Sequence, residues 1–296
     1  MTVSAAPDRD TLVGLRDGRR VALAEWGDVD GRPVFVFQGS PGSRLFNPDV
    51  ETTEATGVRI LSPDRPGYGT SDPKIGRSVL DWASDLGEIA DALGLDRFPV
   101  LGWSSGGQFA LGAAVGLGER VTSVALVAAD GPPFDVPGVR ESWSPEVAAL
   151  VDLIRADPAA ARVRLLERQR WYADDPGSII RRADAMAGDD PDAVLRRNPA
   201  IRGALDTMFR EGARQGSAGF VDDLIAYYSP WGFSPADIRQ PTSVWWGDED
   251  LLVARSHTDY LATTIPGARL HVEPGEGHLL PVRHWAAILA ELDEAS

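Results

Sequence analysis

Cysteine is absent from this chain of 296 residues. That excludes disulfides, thiolate metal sites and a cysteine nucleophile. Lysine is almost absent: Lys74 is the only one, and the other basic side chains are arginine. We read that bias as genome composition. Histidine is scarce, with only His257, His271, His278 and His284, all near the C-terminal end. A basic excess is missing as well. The formal charge is −15, which argues against nucleic acid or an anionic membrane as partner. No apolar run is long enough to span a bilayer, and residues 1–10 carry no signal-like apolar core. A cytoplasmic location is the expectation. No phosphate loop, dinucleotide fingerprint or metal-ligand spacing stands out. No cofactor and no metal are therefore expected. The expected partner is a small-molecule substrate, with the oligomeric state left open.

What is present is a rhythm of short apolar runs and amphipathic segments. Residues 21–26, 33–37 and 59–62 read as strands. Residues 78–93 read as an amphipathic helix, with Ser78 and Asp81 at capping-box spacing. Two more strands, 97–101 and 121–127, flank an apolar helical stretch at 108–115. Near-continuous apolar strands between helices predict a mostly parallel sheet flanked by helices on both faces. From Pro132 to Pro235 no strong strand stands out. Short helical segments there are broken by Pro145, Pro158, Pro176, Pro191 and Pro199. The rhythm then returns, with strands at 242–246 and 269–272 and helices at 256–265 and 282–292. The expectation is a core of residues 1–131 and 236–296. An all-helical cap, 132–235, is inserted where the chain leaves the active edge of the sheet.

One segment carries the chemistry. Gly102-Trp103-Ser104-Ser105-Gly106 lies between a predicted strand and a predicted helix. G-x-S-x-G in that setting is a nucleophile elbow, a strained turn that lifts the serine hydroxyl above the sheet. Gly102 and Gly106 keep side chains out of the tight crossing. Ser105 is the poorer nucleophile, because bulky Trp103 stands two residues before it. A serine hydroxyl needs a base, and the base needs an orienting acid. His278 sits in a glycine-rich loop just past a predicted strand, which can present an imidazole. His271 falls inside a strand, and His257 and His284 fall on helices. Asp250 follows the turn at Gly247 and is the candidate acid, while Asp248 and Glu249 read as solvated loop charges. Asp130 is a rival acid at the end of the strand after the nucleophile helix; a turn cap is its plainer role. The developing oxyanion needs donors. Ser105 offers one backbone N–H, and Ser40, in the loop Gln38-Gly39-Ser40-Pro41-Gly42, offers the other. Gln38, Gly39 and Trp103 are expected near the substrate. Trp143 and Trp171 are cap aromatics that could wall an apolar site.

In this order the segments resemble those of the α/β-hydrolase superfamily. Within it the chain is similar to helical-cap enzymes of the prolyl-iminopeptidase, haloperoxidase and epoxide-hydrolase type. Gln38 to Gly42 resembles the H-G-x-P-G oxyanion loop, with Gln38 in place of the usual histidine. Asp64 to Ser71 resembles the D-x-x-G-x-G-x-S turn. Gly247-x-x-Asp250 and Gly277-His278 complete the set, which spans the chain apart from the cap. The resemblance implies the α/β-hydrolase fold and a triad of Ser104, His278 and Asp250. Serine at the elbow makes epoxide hydrolysis and dehalogenation poor fits, because their ester intermediate requires a carboxylate nucleophile. The expected activity is cofactor-independent hydrolysis of a small, fairly apolar ester, lactone or amide. Prolyl-aminopeptidase-like cleavage, carbon–carbon bond hydrolysis beside a ketone, a perhydrolase side activity and a non-hydrolytic ligand-binding or biosynthetic role stay open.

Overall fold

The computed structural model describes residues 2–294 apart from 187 and 189. Eight strands form one sheet: β1 (Arg9–Gly14), β2 (Arg20–Gly27), β3 (Arg32–Phe37), β4 (Val58–Pro63), β5 (Phe98–Trp103), β6 (Val121–Val127), β7 (Thr242–Gly247) and β8 (Arg269–Glu273). Their spatial order is β1-β2-β4-β3-β5-β6-β7-β8. β2 runs antiparallel to β1 and β4, and every other pairing is parallel.

Alternation along the central strands sends side chains to both faces. Phe35 and Phe37 of β3 join one apolar core, and Val34 and Val36 join the other. Helices cover both faces: α1 (Val50–Ala55), α2 (Asp81–Ala92) and α3 (Gly106–Leu117), then α11 (Arg255–Thr264) and α12 (Pro281–Glu294), which follow a helical block. α2 and α3 supply Trp82, Leu86 and Phe109 to the first core, and α12 supplies Trp285, Ile288 and Leu292 to the second. Helix α2 is shorter than the sequence suggests. Ser78 and Asp81 do exchange hydrogen bonds, Ser78 N to Asp81 Oδ2 (2.7 Å) and Asp81 N to Ser78 Oγ (3.1 Å), but the helix starts only at Asp81.

Between β6 and β7 the described residues form helices and turns. The helices are α4 (Pro145–Ala156), α5 (Pro158–Arg168), α6 (Arg170–Asp174), α7 (Ser178–Met186), α8 (Pro191–Arg196), α9 (Pro199–Gly212) and α10 (Ala218–Tyr228). Four of the prolines that punctuate this block begin helices, while Pro176 lies in the turn before α7. Pro145, Pro158, Pro191 and Pro199 each occupy a first-turn position, where the missing N–H costs nothing. The residue before each is a capping side chain. Ser144, Asp157, Asp190 and Asn198 accept from the N–H groups of Val147, Ala160, Ala193 and Ala200. Helices α4, α5 and α10 share a small core around Ile154, Leu165 and Val221. Ile180, Leu195, Ile201, Leu205 and Met208, from α7, α8 and α9, pack with Trp103 and Leu279 in the second core.

Candidate active site

The site gathers where parallel strands end, the place open α/β sheets bind ligands. Ser104 follows β5 and has φ +55°, a left-handed conformation that side chains rarely adopt. Strain of this kind persists only where surroundings enforce it. Here Ser104 N donates to Val127 O (2.9 Å) and Gly107 N donates to Ser104 O (2.9 Å). Gly102 and Gly106 make the crossing feasible. A Cβ on Gly102 would lie 2.5 Å from Gly106 O, and one on Gly106 would lie 2.1 Å from Phe37 O.

His278 and Asp250 meet directly, Nδ1 to Oδ2 at 2.9 Å, and both are buried. The second Asp250 oxygen accepts from Leu252 N (2.8 Å) and Val253 N (3.0 Å). Burial disfavours a charged His278 ring, but the charge and hydrogen bond of Asp250 outweigh it and hold its pKa above the ordinary value. The two loops are stitched together, with Glu249 N donating to Glu276 O (3.0 Å). Gly247 permits this approach, since a Cβ there would lie 2.1 Å from Glu276 O. Trp103 Nε1 donates to His278 O (2.9 Å) and ties down the His278 loop.

Ser104 and His278 line one cavity of about 200 Å³ with Gly39, Ser40 and Trp103. Its other walls are largely apolar and come from α7 and α9, with Ile179, Leu205 and Phe209 among them. Among the described residues, neither Ser40 N–H nor Ser105 N–H makes an internal hydrogen bond. Gln38 lies beneath the loop, buried, and its Nε2 donates to Phe46 O (3.2 Å).

Several predicted residues lie elsewhere. Trp143 lines a second cavity beside the first. Trp171 lines neither; it lies under the Arg182 guanidinium, 4.1 Å from its ring centre, and beside Tyr172. His271 stacks on Trp245 at 3.9 Å and His284 lies near Glu273 and Glu276. His257 lines the second cavity, where its Nδ1 accepts from Gly131 N (3.0 Å). Asp130 is there too, and accepts from Ser105 Oγ at 3.4 Å.

Two acids of the helical block were missed by the sequence reading. Asp192, on α8, accepts from His278 N (3.0 Å) and Leu279 N (2.8 Å). Burial raises its pKa against the pull of those donors and of His278. Asp223, on α10, is buried and accepts from Arg65 Nε (2.9 Å), Arg77 Nη2 (2.6 Å), Tyr68 Oη (2.9 Å) and Ser40 Oγ (2.5 Å). Burial opposes its charge, but Arg65 and Arg77 outweigh that and keep its pKa low. Arg65 in turn donates to Gln38 O (2.6 Å) and Gly39 O (3.0 Å), carbonyls of the loop that carries Ser40. The signal for Asp223 was an acid pair inside the apolar run Gly219-Phe-Val-Asp-Asp-Leu-Ile-Ala.

A sequence profile for the alpha/beta hydrolase fold matches residues 32–284. The chain belongs to the α/β-hydrolase fold family. Among relatives of this α/β hydrolase is the 2-hydroxy-6-oxononadienedioate/2-hydroxy-6-oxononatrienedioate hydrolase of Cupriavidus pinatubonensis, 27% identical over 84% of this chain and 80% of that one. The 2-hydroxymuconate semialdehyde hydrolase of Pseudomonas putida is 27% identical over 94% of this chain and 92% of its own. The structure of an esterase from Exiguobacterium antarcticum superposes with a TM-score of 0.66 at 21% identity, covering 97% of this chain and 98% of that one. The last likeness is one of fold. No described helix is long and apolar enough to cross a membrane.

Proposed function

We propose that this α/β hydrolase cleaves a small, fairly apolar ester or lactone through an acyl-enzyme. Ser104 is the nucleophile, His278 the base and Asp250 the group that orients and charges the base. The reading is carried by one observation: Ser104, held at φ +55°, shares a cavity with a histidine bonded to a buried aspartate. In the first step Ser104 Oγ attacks the carbonyl carbon, and its proton passes to His278 Nε2. Asp250 stabilises the imidazolium that forms. The free N–H groups of Ser40 and Ser105 are suited to receive the oxyanion. His278 then gives its proton to the leaving alcohol, and water repeats the sequence on the acyl-enzyme. The apolar walls from α7 and α9 suit an alkyl or aryl acyl group.

A second reading, carbon–carbon bond hydrolysis, is favoured by the relatives' names. The first of these acts on a dioate, which carries two carboxylates. Among the described residues lining the cavities, Arg196 is the only arginine or lysine, and its Nε donates to Asp184 (2.9 Å). We therefore rank the ester reading first. A fluorophosphonate probe tests the shared chemistry. It should label Ser104 rapidly, and Ser104→Ala should abolish both labelling and turnover of short acyl esters. Labelling elsewhere, or an active Ser104→Ala protein, overturns the assignment. Turnover of a vinylogous diketone acid with no turnover of any ester or lactone would put the second reading first.

A further inference from the structure

The second cavity, about 420 Å³, is chemically unlike the first. The two adjoin, with Ser40 and Leu252 lining both. Its walls hold two carboxylates and no arginine or lysine among the described residues. Asp223 is already neutralised by Arg65 and Arg77. Asp130 is not: among the described residues its one hydrogen bond is the long one from Ser105 Oγ at 3.4 Å. His257 is its neighbour but makes no hydrogen bond to it. Burial holds its pKa down against the pull of Asp130, and its Nδ1 is occupied as an acceptor for Gly131 N–H. A carboxylate so placed has no bonded counter-ion; burial raises its pKa, and a cation bound beside it would restore its charge.

The remaining walls suit a cation. Trp143, Tyr227 and Tyr228 form an edge-to-face chain, with ring centres 5.7 Å apart for Trp143–Tyr228 and 4.8 Å for Tyr227–Tyr228. Aromatic faces attract an ammonium group by their quadrupole. Gln108 is fully buried, lines the same cavity, and neither of its side-chain amide atoms has a partner. Its amide offers both an unpaired acceptor, Oε1, and an unpaired donor, Nε2. The chain's charge of −15 draws cations toward the site from a distance.

We propose that the second cavity binds a protonated alkylamine arm of the substrate, with Asp130 as its counter-ion and Trp143, Tyr227 and Tyr228 as its walls. The proposal rests on the hydrolase reading above and narrows it. The ester or lactone carbonyl sits at Ser104, the apolar part of the substrate fills the first cavity, and a cationic arm passes the oxyanion loop into the second.

Two esters of equal shape provide the test: dimethylaminoethyl butyrate, which is cationic at neutral pH, and isoamyl butyrate, its uncharged isostere. The wild-type protein should favour the amine ester by ~10-fold or more in kcat/KM, mainly through KM. Asp130→Asn should collapse that ratio toward one. The ratio should also survive high salt, because a sheltered pair is screened far less than a surface charge. A preference that salt removes and Asp130→Asn spares belongs to the overall charge of the chain, and the proposal falls. Calorimetric titration of both esters into the Ser104→Ala protein reads the same preference without turnover. If neither ester is hydrolysed by the wild type, the ester reading fails while binding still judges the cavity. Equal affinity for the two esters, or a preference untouched by Asp130→Asn, overturns the proposal.

Discussion

The molecule holds two histidine–aspartate neighbourhoods within one site, and they differ in almost every physical respect. His278 and Asp250 are bonded at 2.9 Å, and the acid outweighs burial to raise the pKa of the ring. His257 and Asp130 face a shared cavity without such a bond; burial wins there, lowering the histidine and raising the acid. The first pair sits beside the strained Ser104 and an apolar wall, the second beside tyrosines and an unpaired glutamine. Residue type alone does not distinguish the two pairs. Distance and the balance between burial and charge do, and on the proposed reading they separate a base from a binding group.

The comparison can be broken or sharpened by substitution. The largest effect is expected at the reacting groups. Ser104→Ala or His278→Ala should lower kcat on a short ester by ~10⁶-fold, the loss seen when a triad member that moves protons is removed. If His257→Ala is the inactivating change and His278→Ala is mild, the two neighbourhoods have been exchanged. Next come the acids. Asp250→Asn should cost ~10⁴-fold in kcat, because the amide favours the wrong tautomer of the ring. Asp130→Asn should cost far less on an uncharged ester, and the reverse order in steady-state kinetics would make Asp130 the orienting acid.

A third effect is one of stability. Asp223→Ala would leave Arg65 buried without its counter-charge and Arg77 with only the longer pair to Asp222 (3.7 Å). Chemical denaturation should show a loss of about 3–5 kcal/mol. A loss much below that would mean that solvent reaches these arginines. The smallest effect concerns pH. The base must be neutral to accept a proton, so the rate falls as pH drops through the His278 pKa. That pKa is raised, so the acid limb of kcat/KM should have its midpoint above the ordinary histidine value of ~6.5. In Asp250→Asn the residual activity should show the midpoint moved down, since the charge that raised it is gone. An unmoved midpoint would point to another titrating group.

Much of this was legible in the sequence, for identifiable reasons. Central strands such as β5 and β6 are buried on both faces and read as continuous apolar runs. The glycines around Ser104 and before Asp250 mark places where the backbone must pass within Cβ distance of another strand or loop. β1 was not legible, because it is an edge strand whose residues are mostly exposed and carry no apolar stripe. Trp171 was expected near substrate because it is aromatic, yet an Arg182 guanidinium covers its ring. Asp192 carries no sequence signal of its own, being a first-turn acid after Pro191. Only tertiary packing turns its carboxylate onto the His278 loop.

Asp192 and Asp223 have a consequence for how such a protein can diverge. One carboxylate grips the loop bearing His278, and the other, through Arg65, braces the loop bearing Gly39 and Ser40. The helices between β6 and β7 are thus not an exchangeable cassette. A chimera that imports these helices from a relative must also import acids at both places, or the recipient loses the scaffolding of its own reactive loops. Libraries aimed at new substrates are best confined to side chains such as Ile179, Phe209 and Trp143, with both aspartates held constant.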